Sequence, residues 1–497
     1  DFMTKYFRYQ LATLPSTPLG NWTFWAEFRA CDNLQAVYWL YNITGEAFLL
    51  DLGNLLHEQS FNFIDMFLNR DHLTRFNSIH CVNLAQGLKE PVIYYQQKPE
   101  KSYIDAVKKG LADIRKYNGQ PQGMFGGDEG LHGNNPTQGS ELCSAVELMY
   151  SLEKMMEITG DLTFTDHLER IAFNALPTQI TDDFMNKQYF QQANQIMITR
   201  HPHNFYEDAH HAATDIIYGT RTGYPCCFSN MHQAWPKFTQ SLWYATPDKG
   251  IAALAYSPSE VVAQVGDGHE ISIIEDTYYP MDDKIRFTIR LSNSVKEVTF
   301  PFHLRIPEWC KGAAVTINGI TDSINGGSDM AILHRPWKDG DQVILSLPMK
   351  VESSRWYENS VAIERGPLVY ALKMEERWMK KEFVGKERNQ FGFDYYEVSS
   401  PTKWNYGILS ATIEDLEKNS QVTIDPDKQS CDYFWNVRNA PIQIKLKAKE
   451  MTSWRIYNEM TGPLPFSTSK SEQPEEEIVL VPYGCTTLRI SEFPVVR

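Results

Sequence analysis

Apolar residues recur at helical spacing through the first half of the chain. Between Asn33 and Thr44 they fall at Leu34, Val37, Tyr38, Leu40 and Tyr41, a stripe along one helix face. Gly45 then fits a helix C-cap, and EAFLLDLGNLLHEQ opens the next helix. The junction returns later: ITGEAF spans 43–48 and ITGDLTF spans 158–164, each closing one helix and opening another. A repeated helix–Gly–helix junction predicts stacked helical hairpins, as in an (α/α)6-type barrel. About nine or ten helices are read before residue 247, whereas a closed ring of six hairpins needs two apiece. The first helices are therefore expected to be missing, or the ring to be open. The opening DFMTKYFRYQLATL reads as a helix already under way, so a start inside a longer protein is expected, without a signal peptide at its head.

After about residue 247 the period changes to two. KIRFTIRLS (284–292) alternates polar and apolar positions, and QVILSLPMKV does so again. Asn318-Gly319 in AVTINGI is a hairpin-turn signal. From Asn359 the pattern restarts with VAIERGPLVYALKM and later IQIKLKAKEM. The predicted order is a helical (α/α) domain over 1–247, a β-sandwich over 248–358 and a second β-sandwich over 359–497.

Composition narrows the partners. With 47 Lys plus Arg against 62 Asp plus Glu, the net charge is −15, which argues against nucleic acid or an anionic membrane as the main partner. No run of 18 apolar residues crosses a membrane. Aromatics make up 13%, compatible with sugar stacking and equally with a large β-rich protein. The eight cysteines, at 31, 81, 143, 226, 227, 310, 431 and 485, lack the spacing of a disulfide framework. Cys31 and Cys310 read as small buried hydrophobes.

Three segments carry chemistry. Gly126–Gly160 begins as a Gly- and Asn-rich loop and continues as a helix from about Ser140; Thr222–His232 (TGYPCCFSNMH) puts a Gly-Tyr-Pro turn before adjacent cysteines; NSIHCVNLAQG surrounds His80. Cys143, Cys226, Cys227 and one carboxylate would complete a four-ligand zinc set. Residues two apart on a regular helix do not share a face. Glu141 and Cys143 can chelate together only at the helix start, with Ser140 as N-cap, and Glu147 is the rival carboxylate. The plainer reading is three buried cysteines or a redox-sensitive vicinal pair. GGDE precedes a helix in helical surroundings, which excludes a nucleotide-cyclase hairpin. Glu129 is a candidate general acid or an exposed loop carboxylate, and His80 a site residue or a satisfied helix histidine.

At these residues the sequence resembles glycoside hydrolase family 127, the zinc- and cysteine-dependent β-L-arabinofuranosidases. The motifs are SELC, YPCCFSN, HLERIAFN (167–174) and RGPLVYAL. The resemblance implies a helical barrel followed by two β-sandwiches, with the missing helices before residue 1. It implies Cys226 as nucleophile through a thioglycosyl-enzyme intermediate, and Zn2+ held by Glu141, Cys143, Cys226 and Cys227. Glu129 would be the general acid/base, and His80, Glu169 and Tyr189 would bind the sugar. A covalent intermediate implies a retaining exo-glycosidase. Its partner would be an oligosaccharide or plant glycan; a homodimer is an admissible assembly, and bacterial cytoplasm and periplasm both stay open. The loop from Glu129 to Glu141 is shorter than the family pattern, leaving Asp128 as a rival acid. Asp32 or Asn33 stands where the family has a substrate histidine, so a related pentofuranose or branched acidic sugar could replace arabinofuranose. The alternatives are a non-catalytic zinc-stabilised carbohydrate-binding protein, or a two-carboxylate hydrolase or lyase on the same helical scaffold.

Overall fold

The structure is a computed structural model that describes residues 1–21, 23–74, 79–203, 205, 211–292, 295–323 and 329–497. Among them, eleven α-helices precede Trp243, several only one or two turns long. Ala30–Thr44 packs on Phe48–Gln59, Phe63–Asn69 on Lys101–Tyr117, and both Cys81–Gly87 and Cys226–Gln240 on Leu142–Thr159. Lys101–Tyr117 buries Tyr103, Ala106, Val107, Gly110 and Ile114, the three-and-four spacing of one helix face.

The two helix–Gly–helix junctions are one device used twice. Gly45 and Gly160 have φ of 68° and 69°, and their N–H groups bond to the carbonyls of Tyr41 and Met156. A Cβ at either position would meet nothing within 4 Å. The left-handed backbone, not crowding, therefore calls for glycine there.

Strand structure becomes continuous from Trp243. A six-stranded sheet runs in the order Ile320–Ser323, Ala314–Ile317, Gln342–Ser346, Lys284–Leu291, His269–Thr277, Ser259–Val265. It faces a four-stranded sheet of Asp329–Trp337, Val298–Ile306, Ile251–Ala253 and Trp243–Ala245. The alternation read in KIRFTIRL is the observed one: Ile285, Phe287, Ile289 and Leu291 are buried. Phe287 meets Phe302 of the facing sheet edge-on at 5.2 Å, the interdigitation expected of a sandwich core. Asn318 and Gly319 both have positive φ and turn Ala314–Ile317 into Ile320–Ser323, as the dipeptide predicts.

The C-terminal region is built on one eight-stranded sheet that includes Val361–Arg365, Leu368–Leu372, Ile442–Glu450 and Glu475–Pro482. It is stitched to the helical region by short pairings, Tyr218–Gly219 with Asp394–Ser399 and Asn194–Gln195 with Arg489–Ile490.

The HLERIAFN motif is the hub of this assembly. Helix Thr163–Arg170 continues into a π-helical turn, Ile171–Ala175. Arg170 makes a two-pronged ion pair with Glu364, and the Asn174 amide both donates to Pro367 O (2.9 Å) and accepts from Val369 N–H (2.8 Å). HLERIAFN thus grips RGPLVYAL directly. Glu169 accepts from Tyr279 O–H at 2.7 Å and forms an ion pair with Arg305 at 2.5 Å, and Asp166 also pairs with Arg305. Arg305 and Glu169 are both fully buried between the helices and the first sandwich. A buried guanidinium needs such carboxylates to offset its lost hydration.

Candidate active site

The site is assembled on a four-stranded miniature sheet of two-residue strands, in the order Gly130–Leu131, Gly127–Asp128, Ser140–Glu141, Phe190–Gln191. Glu129 sits at the tip between Gly127–Asp128 and Gly130–Leu131, with φ of 72°. A non-glycine residue held there is strained, and such strain concentrates where a side chain must be aimed. Its carbonyl accepts the Cys81 N–H at 2.8 Å, fixing the tip to the start of Cys81–Gly87.

Glu141 ends the miniature sheet. It is the N-cap of Leu142–Thr159, in extended backbone, with no side-chain cap bond. Helix N-capping by Ser140 is thus replaced by a strand-to-helix switch at Glu141 itself. Glu141 lies on strand geometry and Cys143 in the first helical turn, which removes the objection that residues two apart on a helix diverge. The Gly223-Tyr224-Pro225 turn delivers Cys226 and Cys227 opposite them, at the start of Cys226–Gln240. Gly223 has φ of 58°, and a Cβ there would lie 2.4 Å from the Tyr189 ring, so glycine is required twice over.

Glu141, Cys143, Cys226 and Cys227 offer ligand atoms all within 4.8 Å of one another. Cys143 Sγ lies 3.3 Å from Cys226 Sγ and 2.9 Å from Cys227 Sγ, while Glu141 lies 3.6 Å from Cys227 Sγ. Three sulfurs and a carboxylate, buried but for Cys226, are a donor set suited to a metal ion. Burial pushes the Glu141, Cys143 and Cys227 pKa values well up, and neighbouring negative charge adds to it at each. A divalent cation would relieve that crowding and hold the thiols as thiolates. The donor set therefore fits a metal.

Cys226 differs from its neighbours. Thiols of Cys143 and Cys227 donate to it and the Lys187 ammonium faces it, which outweighs burial and brings its pKa down to about 3. Lys187 is fully buried and bonded to the carbonyls of Thr222 and Tyr224, which anchors the turn carrying the pair. Cys226 lines a cavity of about 1000 Å³, whereas Cys227 lies behind it, fully buried.

Glu129 lines the same cavity, with His80, Tyr189 and His211. Tyr189 O–H donates to Oε1 at 2.5 Å and His80 Nε2 lies 3.1 Å from Oε2. His80 caps its helix through Nδ1, which accepts the Asn83 N–H. The ring proton therefore sits on Nε2 and points at Glu129. Burial pushes the Glu129 pKa up, but these bonds and the pull of His80 and His211 outweigh it and hold the carboxyl below its ordinary value. Burial and the nearby Glu141 and Glu129 carboxylates push Tyr189 well up, so it stays a phenol donor. His80, Glu129 and Glu141 also offer atoms within 4.8 Å of one another, so Glu129 borders the cysteine cluster.

The structure sorts the other sequence candidates. Asp128 is 1% exposed, pairs with His132 and lines none of this cavity, so the rival carboxyl points away from it. Glu169 does not join the cavity either. Expected as a sugar contact, it is instead locked in the interdomain ion pair with Arg305. Glu147 is outside the four-atom cluster but lines the cavity. Asp32 pairs with Lys89 at 2.8 Å, and Asn33 donates to Gln10 at 3.1 Å. Sequence reading missed His211 and Asp215. His211 Nδ1 bonds Asp215 Oδ1 at 2.5 Å and its Nε2 lies 3.8 Å from Glu129. Their only linear signal is a His and an Asp four residues apart.

Among the described residues, no helix is long and apolar enough to cross a membrane. The chain is 26% identical over 249 residues to the non-reducing end β-L-arabinofuranosidase of Bifidobacterium longum subsp. longum, covering 48% of this chain and 36% of the relative. It thus spans about a third of the length of that curated relative. Its fold is similar to a solved glycoside hydrolase (TM-score 0.68, 17% identity, covering 99% of this chain and 79% of the other). It is also similar to a GH127 β-L-arabinofuranosidase from Geobacillus stearothermophilus T6 (TM-score 0.64, 18% identity, 93% and 72% covered). Residues 1–240 match the β-L-arabinofuranosidase GH127 catalytic domain and residues 250–349 the GH127 middle domain. The chain belongs to glycoside hydrolase family 127.

Proposed function

We propose that this chain is the core of a retaining exo-glycosidase of β-L-arabinofuranosidase type, with Cys226 as nucleophile and Glu129 as general acid/base. One observation carries the reading: the one exposed thiol of the cluster shares a cavity with a hydrogen-bonded carboxyl. Bifidobacterial and Geobacillus relatives named as β-L-arabinofuranosidases support the sugar class.

Zinc held by Glu141, Cys143, Cys226 and Cys227 would keep the thiols ionised at neutral pH. The Cys226 thiolate attacks the anomeric carbon, forming a C–S bond as the glycosidic C–O bond breaks. Glu129 gives its proton to the departing oxygen. The Glu129 carboxylate then takes a proton from water, which attacks the same carbon and returns the electron pair of the C–S bond to sulfur. Two inversions leave the anomeric configuration unchanged. His80 and Tyr189 orient the Glu129 carboxyl, and the Asp215–His211 pair backs it from the other side.

Hydrolysis of a β-L-arabinofuranoside followed by proton NMR tests this reading. The first product is expected in the β configuration, and Cys226→Ser is expected to lose turnover. An α product, or full activity in Cys226→Ser, would favour two carboxylates acting without the cysteine.

A further inference from the structure

The cavity beside Cys226 does not end at the thiolates. Gln86 and Glu147 line it and also line a second chamber of about 690 Å³. The two chambers thus meet across these two side chains. Glu147, on Leu142–Thr159, is 8% exposed and has no hydrogen-bond or ion-pair partner among the described residues. Burial pushes its pKa up against the pull of Lys89, Lys237 and Arg29, and its oxygens keep hydrogen-bonding capacity that a hydroxyl brought into the cavity can satisfy. Its neighbours are already committed. Gln86 gives its amide N–H to Asp32 at 2.7 Å, and Lys89 is taken by Asp32 and by the Gln86 carbonyl.

The far wall comes from one helix face. Asp32, Gln35 and Trp39 follow one another at three- and four-residue spacing on Ala30–Thr44, and all line the second chamber. Gln35 donates its amide N–H to the Tyr150 hydroxyl oxygen at 2.5 Å, and Tyr150 has Lys237 over its ring at 3.7 Å. That leaves Trp39, 57% exposed, as the open aromatic face. A carboxylate, amides and one open indole are a lining that hydroxyl groups and an apolar sugar face would satisfy together.

We propose that this second chamber binds the next sugar of the substrate, with Glu147 accepting its hydroxyl protons and Trp39 stacking on its ring. The proposal rests on the exo-glycosidase reading above. In an exo-enzyme the terminal sugar lies at the thiolates, so the next unit along is the leaving-group sugar. Glu147 is then a specificity residue for what is cleaved off, with no part in bond breaking.

Calorimetric titration of the Cys226→Ser chain with an arabino-disaccharide and with free arabinose tests the chamber without turnover, and kinetics of the chain with Cys226 intact on the disaccharide and on a nitrophenyl arabinofuranoside tests its use. The Cys226→Ser chain is expected to bind the disaccharide roughly tenfold more tightly than arabinose, and the further change Glu147→Gln to abolish that preference. Glu147→Gln should lower kcat/KM on the disaccharide roughly tenfold and leave the nitrophenyl glycoside within about twofold. Trp39→Ala, an exposed change, should reproduce the selective loss. Equal binding of both sugars by the Cys226→Ser chain, equal loss on both substrates, or metal loss from Glu147→Gln would overturn the proposal. A binding preference without hydrolysis of either substrate would uphold the chamber and refute the hydrolase reading instead.

Discussion

His80 holds Glu129 through the ring nitrogen that its own helix leaves free. Nδ1 accepts the Asn83 N–H at 3.3 Å, so Nε2 carries the proton and faces Glu129 Oε2 at 3.1 Å. A helix cap thereby sets the tautomer of a site residue. That local rule of helix starts aims the carboxyl into the cavity that Cys226 also lines.

Glu129→Gln removes the proton donor while keeping the side-chain shape. Hydrolysis of natural glycosides should slow by about 10²–10⁴, and aryl glycosides with good leaving groups should lose far less in the first step. Comparing kcat/KM across a leaving-group series checks it. A loss independent of leaving group would assign Glu129 to binding.

The pH profile reports what holds Glu129. Its carboxyl sits below the ordinary value, and only its protonated form can donate to the leaving oxygen. The competent fraction therefore falls as pH rises through that lowered pKa. Tyr189→Phe deletes a bond to the ionised form, so the pKa rises and the decline of kcat/KM moves to higher pH. An unmoved profile would mean that another group donates the proton.

Glu169 separates architecture from recognition. Glu169→Ala would leave Arg305 with Asp166 as its remaining carboxylate in a fully buried setting, an expected loss of about 3 kcal/mol of stability. The melting temperature should fall, while KM for the glycoside stays within about twofold in the folded fraction. A raised KM at unchanged melting temperature would return Glu169 to the sugar site.

The helical junctions and sandwich strands were legible because they obey local rules. Gly45 and Gly160 supply left-handed caps, and Lys284–Leu291 alternates with period two. The cysteine cluster was legible through its motifs, although the reason Glu141 and Cys143 converge was not. That reason is a two-residue strand ending at Glu141, and a pair of residues has no period to read. His211 and Asp215 were illegible because their partner, Glu129, lies about eighty positions earlier in the chain. The place of Glu169 was illegible for a related cause: it pairs with Arg305, and its motif neighbour Arg170 with Glu364, both from the β-rich regions, contacts that only tertiary structure creates.

Zinc content and turnover measured on the same samples, as a chelator removes the metal stepwise, decide whether the reaction depends on a metal held by the cysteine cluster. About one zinc per chain is expected, with turnover falling in proportion to the zinc withdrawn. Zinc-free protein that keeps full activity would contradict that dependence.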